Sequence, residues 1–213
     1  MGERLPGGKR PVATRKEKGQ DMYKIAVVVG SLRQESLNLK FAKALEKLGG
    51  PRFEFDYAEI GELPMYNDDL WQNPPASVLK FKRTIDGADA VLLVTPEFNR
   101  SIPAVLKNAL DWGSRPYGRS SWSGKPASIV GTSPGVIGTA AAQAQLRSIA
   151  VVLDLIVLGQ PEVYFAWKPG LIDENSEITD DTTREFLEGY LARFEAFIGQ
   201  VAKREPQRRQ RAA

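Results

Sequence analysis

Among the short runs of this chain that are apolar at every position are Ile25-Ala26-Val27-Val28-Val29 and Ala90-Val91-Leu92-Leu93-Val94. Successive side chains of a strand point to opposite faces, so a strand apolar throughout is covered on both. A parallel sheet with helices on each side provides that cover. Between the two runs, Leu37, Phe41, Leu45 and Leu48 fall on one face of a helix predicted over about 36–48, and Gly49-Gly50 supplies its stop. Phe53, Phe55 and Tyr57 alternate, which predicts a half-buried strand nearer the sheet edge. The pattern continues with helices over 75–86 and 103–112, a strand over 126–131 and a helix ending near 152. A fifth strand is expected near 155–157, resuming at 163–165. The spacing Thr182-x-x-Glu185 reads as a capping box opening a last helix, with Phe186, Tyr190, Phe194, Phe197 and Val201 as its core stripe. Strand and helix alternate five times without an internal repeat, the pattern of an α/β doubly wound sheet.

Composition then removes whole classes of chemistry. The chain has no Cys and no His. Disulfides, thiolate zinc sites, Cys nucleophiles and the Ser-His-Asp triad are all excluded. Demanding chemistry must come from a cofactor, or from carboxylates, Lys, Arg and Tyr. The net charge of +3 is concentrated at the ends: residues 1–24 hold seven Lys/Arg against three Asp/Glu, and residues 203–213 five against one. The body between them is therefore mildly acidic, and nucleic-acid binding is not expected of it. Residues 1–22 read as a disordered basic extension and 204–213 as a basic tail, flanking one domain at 23–203. No apolar run reaches the roughly 18 residues of a membrane span. No apolar stretch of a secretory signal follows the basic start, so the chain is expected in the cytoplasm.

Three loops after strand ends carry the unusual residues. Gly30-Ser31-Leu32-Arg33-Gln34-Glu35-Ser36-Leu37-Asn38 stands where the first strand hands over to the first helix. The unpaired N–H groups and positive dipole end of that helix favour an anion there. Ser31, Ser36 and Asn38 are short neutral donors, and Arg33 is a planar cation suited to phosphate oxygens. The same residue types also serve turns and caps, and spacing alone does not separate the two uses. Neither a Walker Gly-Lys-Ser/Thr nor a G-x-G-x-x-G is present. In Pro96-Glu97-Phe98-Asn99-Arg100-Ser101, Phe98 offers an aromatic wall and Asn99 both donor and acceptor; a plain turn with exposed Asn and Arg is the competing description. In the stretch from Thr132 to Gly138, Gly135 and Gly138 would let backbone approach a flat ring and Ser133 adds a hydroxyl, although an ordinary turn fits equally well.

Taken together, G-S-L-R-x-x-S-x-N after the first strand, Thr95-Pro96-Glu97-Phe98-Asn99-Arg100-Ser101-Ile102-Pro103 and Leu106-Lys107-Asn108-Ala109-Leu110-Asp111-Trp112 resemble the NADPH-dependent FMN reductase family. Within it they resemble the quinone and chromate reductases, over residues 23–165 or so. The resemblance implies a flavodoxin-like five-stranded parallel sheet in the order 2-1-3-4-5, flanked by helices. Its switch point between strands 1 and 3 brings the first two loops to one crevice. It implies FMN, its phosphate held by Ser31, Leu32, Arg33, Ser36, Leu37 and Asn38. Further cofactor contacts fall on Pro96, Glu97, Phe98, Asn99 and Arg100, and on Ser133, Gly135 and Gly138.

NADPH or NADH would be the electron donor. Quinones, chromate or other metal oxyanions, azo compounds or free flavin would accept in ping-pong order. The flavin carries the hydride, so Glu97 and Asp111 are not read as an acid–base pair; Asp111 suits a solvated helix end. Arg100 is expected to draw NAD(P)H phosphates or an anionic acceptor to the opening. The family usually has Tyr where Phe98 stands, which keeps the ring and removes the hydroxyl. Members commonly place FMN at a boundary between subunits of a dimer or tetramer. Trp112, Tyr117 and Trp122 are candidates for that boundary, or equally for the core. The same fold also serves flavodoxin-type carriers, which bind FMN with negligible NAD(P)H turnover.

Overall fold

The computed structural model describes residues 22–211, with side chains to 202. The extension expected over 1–22 therefore lies, apart from an exposed Met22, outside the described residues. In chain order the elements are β1 (Tyr23–Val29), α1 (Leu37–Gly49), β2 (Phe53–Tyr57), α2 (Ala76–Asp86), β3 (Ala90–Val94) and α3 (Ala104–Gly113). They continue with β4 (Pro126–Ser133), α4 (Ala140–Val152), β5 (Ile156–Val157), β6 (Val163–Ala166) and α5 (Asp181–Arg211). The helix α5 thus carries the backbone across most of the stretch expected as a tail.

Every strand pair is parallel, in the order β2-β1-β3-β4-β5. The expected fifth strand is split: β5 pairs with Pro126 and Ala127, and β6 pairs with residues 130–133 of the same strand. The two apolar runs are β1 and β3, side by side at the centre. Their alternate residues feed two separate cores. Ile25, Val27 and Leu92 pack with Phe41, Leu45, Tyr190 and Phe194 on one face. Ala26, Val28, Val91 and Leu93 pack with Phe81, Leu110, Trp112 and Leu146 on the other. That double burial is why neither run alternates.

Two expectations are corrected here. The N-cap of α5 is Asp180, not Thr182: its Oδ2 accepts from Thr183 N at 2.8 Å. Asp caps as well as Thr and adds a favourable charge at the dipole's positive end, so the true start lies before the Thr-x-x-Glu spacing. On the stripe, Tyr190, Phe194 and Val201 are buried, but Phe186 is 46 % exposed and Leu187, Leu191 and Ile198 take the inner positions.

Trp112 and Trp122 are fully buried, and only Tyr117 of the three interface candidates, at 94 %, is exposed. The two indoles are core because their N–H groups find carbonyls inside: Trp112 Nε1 donates to Pro64 O at 2.7 Å and Trp122 Nε1 to Leu110 O at 2.9 Å. Asn108 joins the same tie. Its Nδ2 donates to Pro64 O at 2.9 Å and its Oδ1 accepts from Tyr66 N at 2.8 Å, fastening the long connection after β2 onto α3. Asp111 faces solvent in a pair with Lys107, as expected of a helix-end carboxylate.

Candidate functional site

The sheet ends at β1, β3 and β4 release the three unusual loops on the same edge. Gly30 N donates to Val94 O at 2.8 Å and Thr95 N to Val130 O at 2.9 Å, so the three strand ends are stitched together at the point where the chain leaves the sheet. Gly30 has no room to spare: a Cβ there would lie 3.2 Å from Leu106 Cβ.

The first loop leads into α1 through an N-cap. Ser36 is buried, its Oγ accepts from Leu39 N at 3.2 Å, and its carbonyl accepts from Lys40 N at 3.0 Å. The N–H groups of Leu37 and Asn38, in the first turn, have no carbonyl one turn back to receive them. Arg33 is exposed and makes no hydrogen bond among the described residues. Two free backbone donors, a dipole end and an uncommitted guanidinium are what a phosphate requires.

Asn38 is used differently from its expected donor role. It is buried, its Nδ2 donates to Thr132 O at 2.9 Å and its Oδ1 accepts from Thr132 N at 3.0 Å. This two-way bond fixes α1 to the end of β4 and leaves one amide hydrogen over.

The second loop is a tight hairpin. Phe98 N donates to Ser101 O at 2.9 Å and Ser101 N to Phe98 O at 3.0 Å. The two residues between them, Asn99 (φ 51°) and Arg100 (φ 64°), are both left-handed. That is the requirement of a type I′ turn. Glu97, before the turn, does not reach into open space as a ligand contact would. Its side chain is 9 % exposed, and Oε2 accepts from Ala141 N at 3.0 Å and Ala142 N at 3.2 Å. Glu97 is the cap of α4, supplied from another loop, because Thr139 at the N-cap position gives no side-chain bond to the helix N–H groups. Its Oε1 accepts from Arg100 Nη1 at 3.0 Å, so the Arg100 cation is partly answered within its own loop. Phe98 is 67 % exposed, and its ring is free to serve as a wall.

The third loop is closed on itself. The Ser133 hydroxyl donates to Gly138 O, and Gly138 N donates to Gly135 O at 3.0 Å. Ser133 is thus a loop lock more than a free donor. Gly138 is required by the fold: it is left-handed (φ 62°), and a Cβ would sit 3.1 Å from the Tyr164 backbone. Gly135 is the open one, with no atom nearer than 3.8 Å to its missing side chain.

These loops border two adjoining clefts. The first, of about 670 Å³, is lined by Ser31, Leu32, Arg33, Ser36, Leu37 and Asn38, by Pro96, Glu97 and Phe98, by residues 103–105 at the start of α3, and by residues 132–134. The second, of about 660 Å³, shares Glu97 and Ser133 with it and adds Asn99, Arg100, Gly135, Val136, Ile137 and Gly138. The first lies within the 300–1,000 Å³ usual for cofactor pockets, and its lining is mainly apolar with donors at one end. All the candidate residues read from the sequence line one cleft or the other. Sequence reasoning missed Gln145 on α4, whose amide bonds the tip of the second loop. It also missed Gly131, where a Cβ would collide with Thr95 O and Thr139 Oγ1. Neither has a motif spacing to betray it: Gly131 is constrained by Thr95 at the end of β3 and by Thr139, and Gln145 by the hairpin that follows β3.

Comparison with known proteins agrees with this geometry. The NADPH-dependent FMN reductase profile matches residues 23–168. A 2-hydroxy-1,4-benzoquinone reductase of a Burkholderia species is 48 % identical over 175 residues, covering 82 % of this chain and 96 % of its own. A quinone reductase of Pseudomonas putida is 45 % identical over 178 residues, covering 83 % and 95 %. Among solved structures, the flavoenzyme NAD(P)H:(acceptor) oxidoreductase FerB of Paracoccus denitrificans superposes with a TM-score of 0.82 at 47 % identity, covering 84 % of this chain and 98 % of that one. A Pseudomonas aeruginosa flavodoxin, at 19 % identity and a TM-score of 0.52, shares the fold alone. With its whole sheet, all three loops and both clefts inside the matched region, the chain belongs to the NADPH-dependent FMN reductase family.

Proposed function

We propose that the protein binds FMN in the larger cleft and uses NAD(P)H to reduce quinones, with metal oxyanions such as chromate, azo compounds and free flavin as further acceptors. The observation that carries this reading is the start of α1, where the free Leu37 and Asn38 N–H groups and the unpaired Arg33 meet beside an apolar slot. A phosphate fits the first and a flat ring the second. FMN, when bound, supplies the hydride chemistry that a chain without Cys or His lacks. Ser31, Arg33 and the first turn of α1 would hold its phosphate, and the hairpin and Phe98 would border its ring. The quinone preference leans on the names of the two bacterial relatives.

Donor and acceptor would use the open cleft in turn, giving ping-pong kinetics. Self-association to a dimer or tetramer and a cytoplasmic location belong to the same reading. Among the described residues no helix is long and apolar enough to cross a membrane.

The test is direct. Protein loaded with FMN is mixed with NADPH without oxygen, and its visible absorbance is followed. Bleaching within seconds, restored by a benzoquinone, is the expected result. A yellow protein that NADPH and NADH leave unchanged would be an electron carrier, and this reading would fail. A protein that takes up no FMN would fail it at the first step. Double-reciprocal plots at several quinone concentrations should be parallel; intersecting lines would remove the ping-pong order.

A further inference from the structure

The hairpin at residues 98–101 is made of residues that do not hold its shape unaided. Two-residue hairpins of this type favour Asn-Gly, because both central positions are left-handed. Asn99 suits its place. Arg100 does not, since its Cβ crowds the backbone at positive φ. Something outside the turn must keep it there.

Gln145, the sixth residue of α4, is placed to do so. Its Nε2 donates to Arg100 O at 2.7 Å and its Oε1 accepts from Ser101 Oγ at 2.7 Å. Both ends of one amide are spent on two successive residues of the turn. The Glu97 carboxylate ties the base of the same loop to the first turn of the same helix. Gln145 itself lines neither cleft, whereas Glu97, Phe98, Asn99 and Arg100 do.

We propose that Gln145 is a positioning residue, holding the Asn99-Arg100 turn that lines the second cleft and, through its partner across the hairpin, Phe98, the wall of the first, and thereby setting affinity for FMN. This rests on the cofactor reading above. Without the amide, the loop remains fixed at Glu97 but its tip can relax toward right-handed backbone. The cofactor would then have to pay for re-forming the turn.

A double-mutant cycle tests this. Gln145→Met keeps the length of the side chain and loses both hydrogen bonds. Arg100→Gly converts the turn to Asn-Gly, which adopts its shape without help. FMN is titrated into the cofactor-free wild type, each single variant and the double variant, following quenching of flavin fluorescence, and thermal melting is recorded alongside. Gln145→Met should weaken FMN binding about tenfold, the order expected from two modest hydrogen bonds, with melting nearly unmoved because the side chain is exposed. In the Arg100→Gly background the same substitution should cost less than about twofold. Equal losses in both backgrounds, or wild-type affinity in Gln145→Met, would overturn the proposal.

Amide hydrogen exchange at Phe98 and Ser101 in the cofactor-free protein gives a second readout. It should quicken in Gln145→Met and recover in the double variant; unchanged exchange would also overturn the proposal. A wild type that fails to bind FMN, with exchange behaving as expected, would strike the cofactor reading and leave the turn-holding role of Gln145 standing.

Discussion

Removing the Glu97 carboxylate should loosen α4 before it affects any chemistry. In Glu97→Ala, the N–H groups of Ala141 and Ala142 lose their shared acceptor, and Ala142 is buried. Losing a cap costs about 1 kcal/mol. Loss of a partly buried negative charge at a helix N-terminus adds about 1 kcal/mol. The ion pair with Arg100 adds little, since that guanidinium is largely in water. Thr139, at the N-cap position, makes no side-chain bond to the helix N–H groups; its Oγ1 accepts from Gln143 Nε2 at 2.8 Å instead. The total is about 2 kcal/mol, and for a domain of this size that lowers the melting temperature by about 4–8 °C. Glu97→Gln keeps one acceptor oxygen and loses the charge, so it should fall by about half as much. Thermal unfolding of the cofactor-free protein, followed by circular dichroism at pH 7, measures both. If Glu97→Ala melts within about 1 °C of the wild type, the carboxylate is not the cap, and the assignment fails.

Three other outcomes follow from single contacts. Gly131→Ala should cost about 3 kcal/mol or more, because its Cβ would strike the Thr95 carbonyl and the Thr139 hydroxyl; a denaturant midpoint equal to the wild type's would refute the close packing. Burial pushes the Tyr190 phenol well above its usual range, so the folded state keeps that proton after the unfolded chain has lost it. Its contribution is complete below about pH 10 and declines above it by about 1.4 kcal/mol per pH unit; Tyr190→Phe should start less stable, having lost the bond to Ser128, but show a shallower alkaline decline. Arg100→Ala should raise KM for NADPH and for an anionic acceptor while Arg100→Lys does not, and unchanged constants in Arg100→Ala would remove the anion-attracting role.

The sheet was readable because burial on both faces leaves a plain mark: two uninterrupted apolar runs became the central strands, and one alternating run became the edge strand β2. The helix ends were readable where one residue does the work, as with Ser36 and Gly50. They were not where two residues could do it, as with Asp180 and Thr182. Trp112 and Trp122 were ambiguous because an aromatic residue with one polar atom suits an interface or a core equally. Only the fold shows that Pro64 O and Leu110 O lie within reach of their indole nitrogens. Gly131 and Gln145 had no local signature at all, since what constrains each is a neighbour far away in the chain.

The candidate site shows a further reason why residue types point to a place more reliably than to roles. Its polar side chains are mostly committed to the protein itself: Ser36 to the cap of α1, Asn38 to Thr132, Glu97 to α4 and Ser133 to Gly138. What remains facing the larger cleft is backbone N–H, the Ser31 hydroxyl, the Arg33 guanidinium and apolar wall. A site of this kind recognises a phosphate through main-chain donors that no side-chain exchange other than to proline can delete, and holds a ring by shape. Exchanging its conspicuous side chains would therefore act mainly through loop geometry. Cofactor affinity and thermal stability should fall together in Asn38 and Glu97 variants, and part company at Arg33, whose exposed side chain makes no hydrogen bond among the described residues.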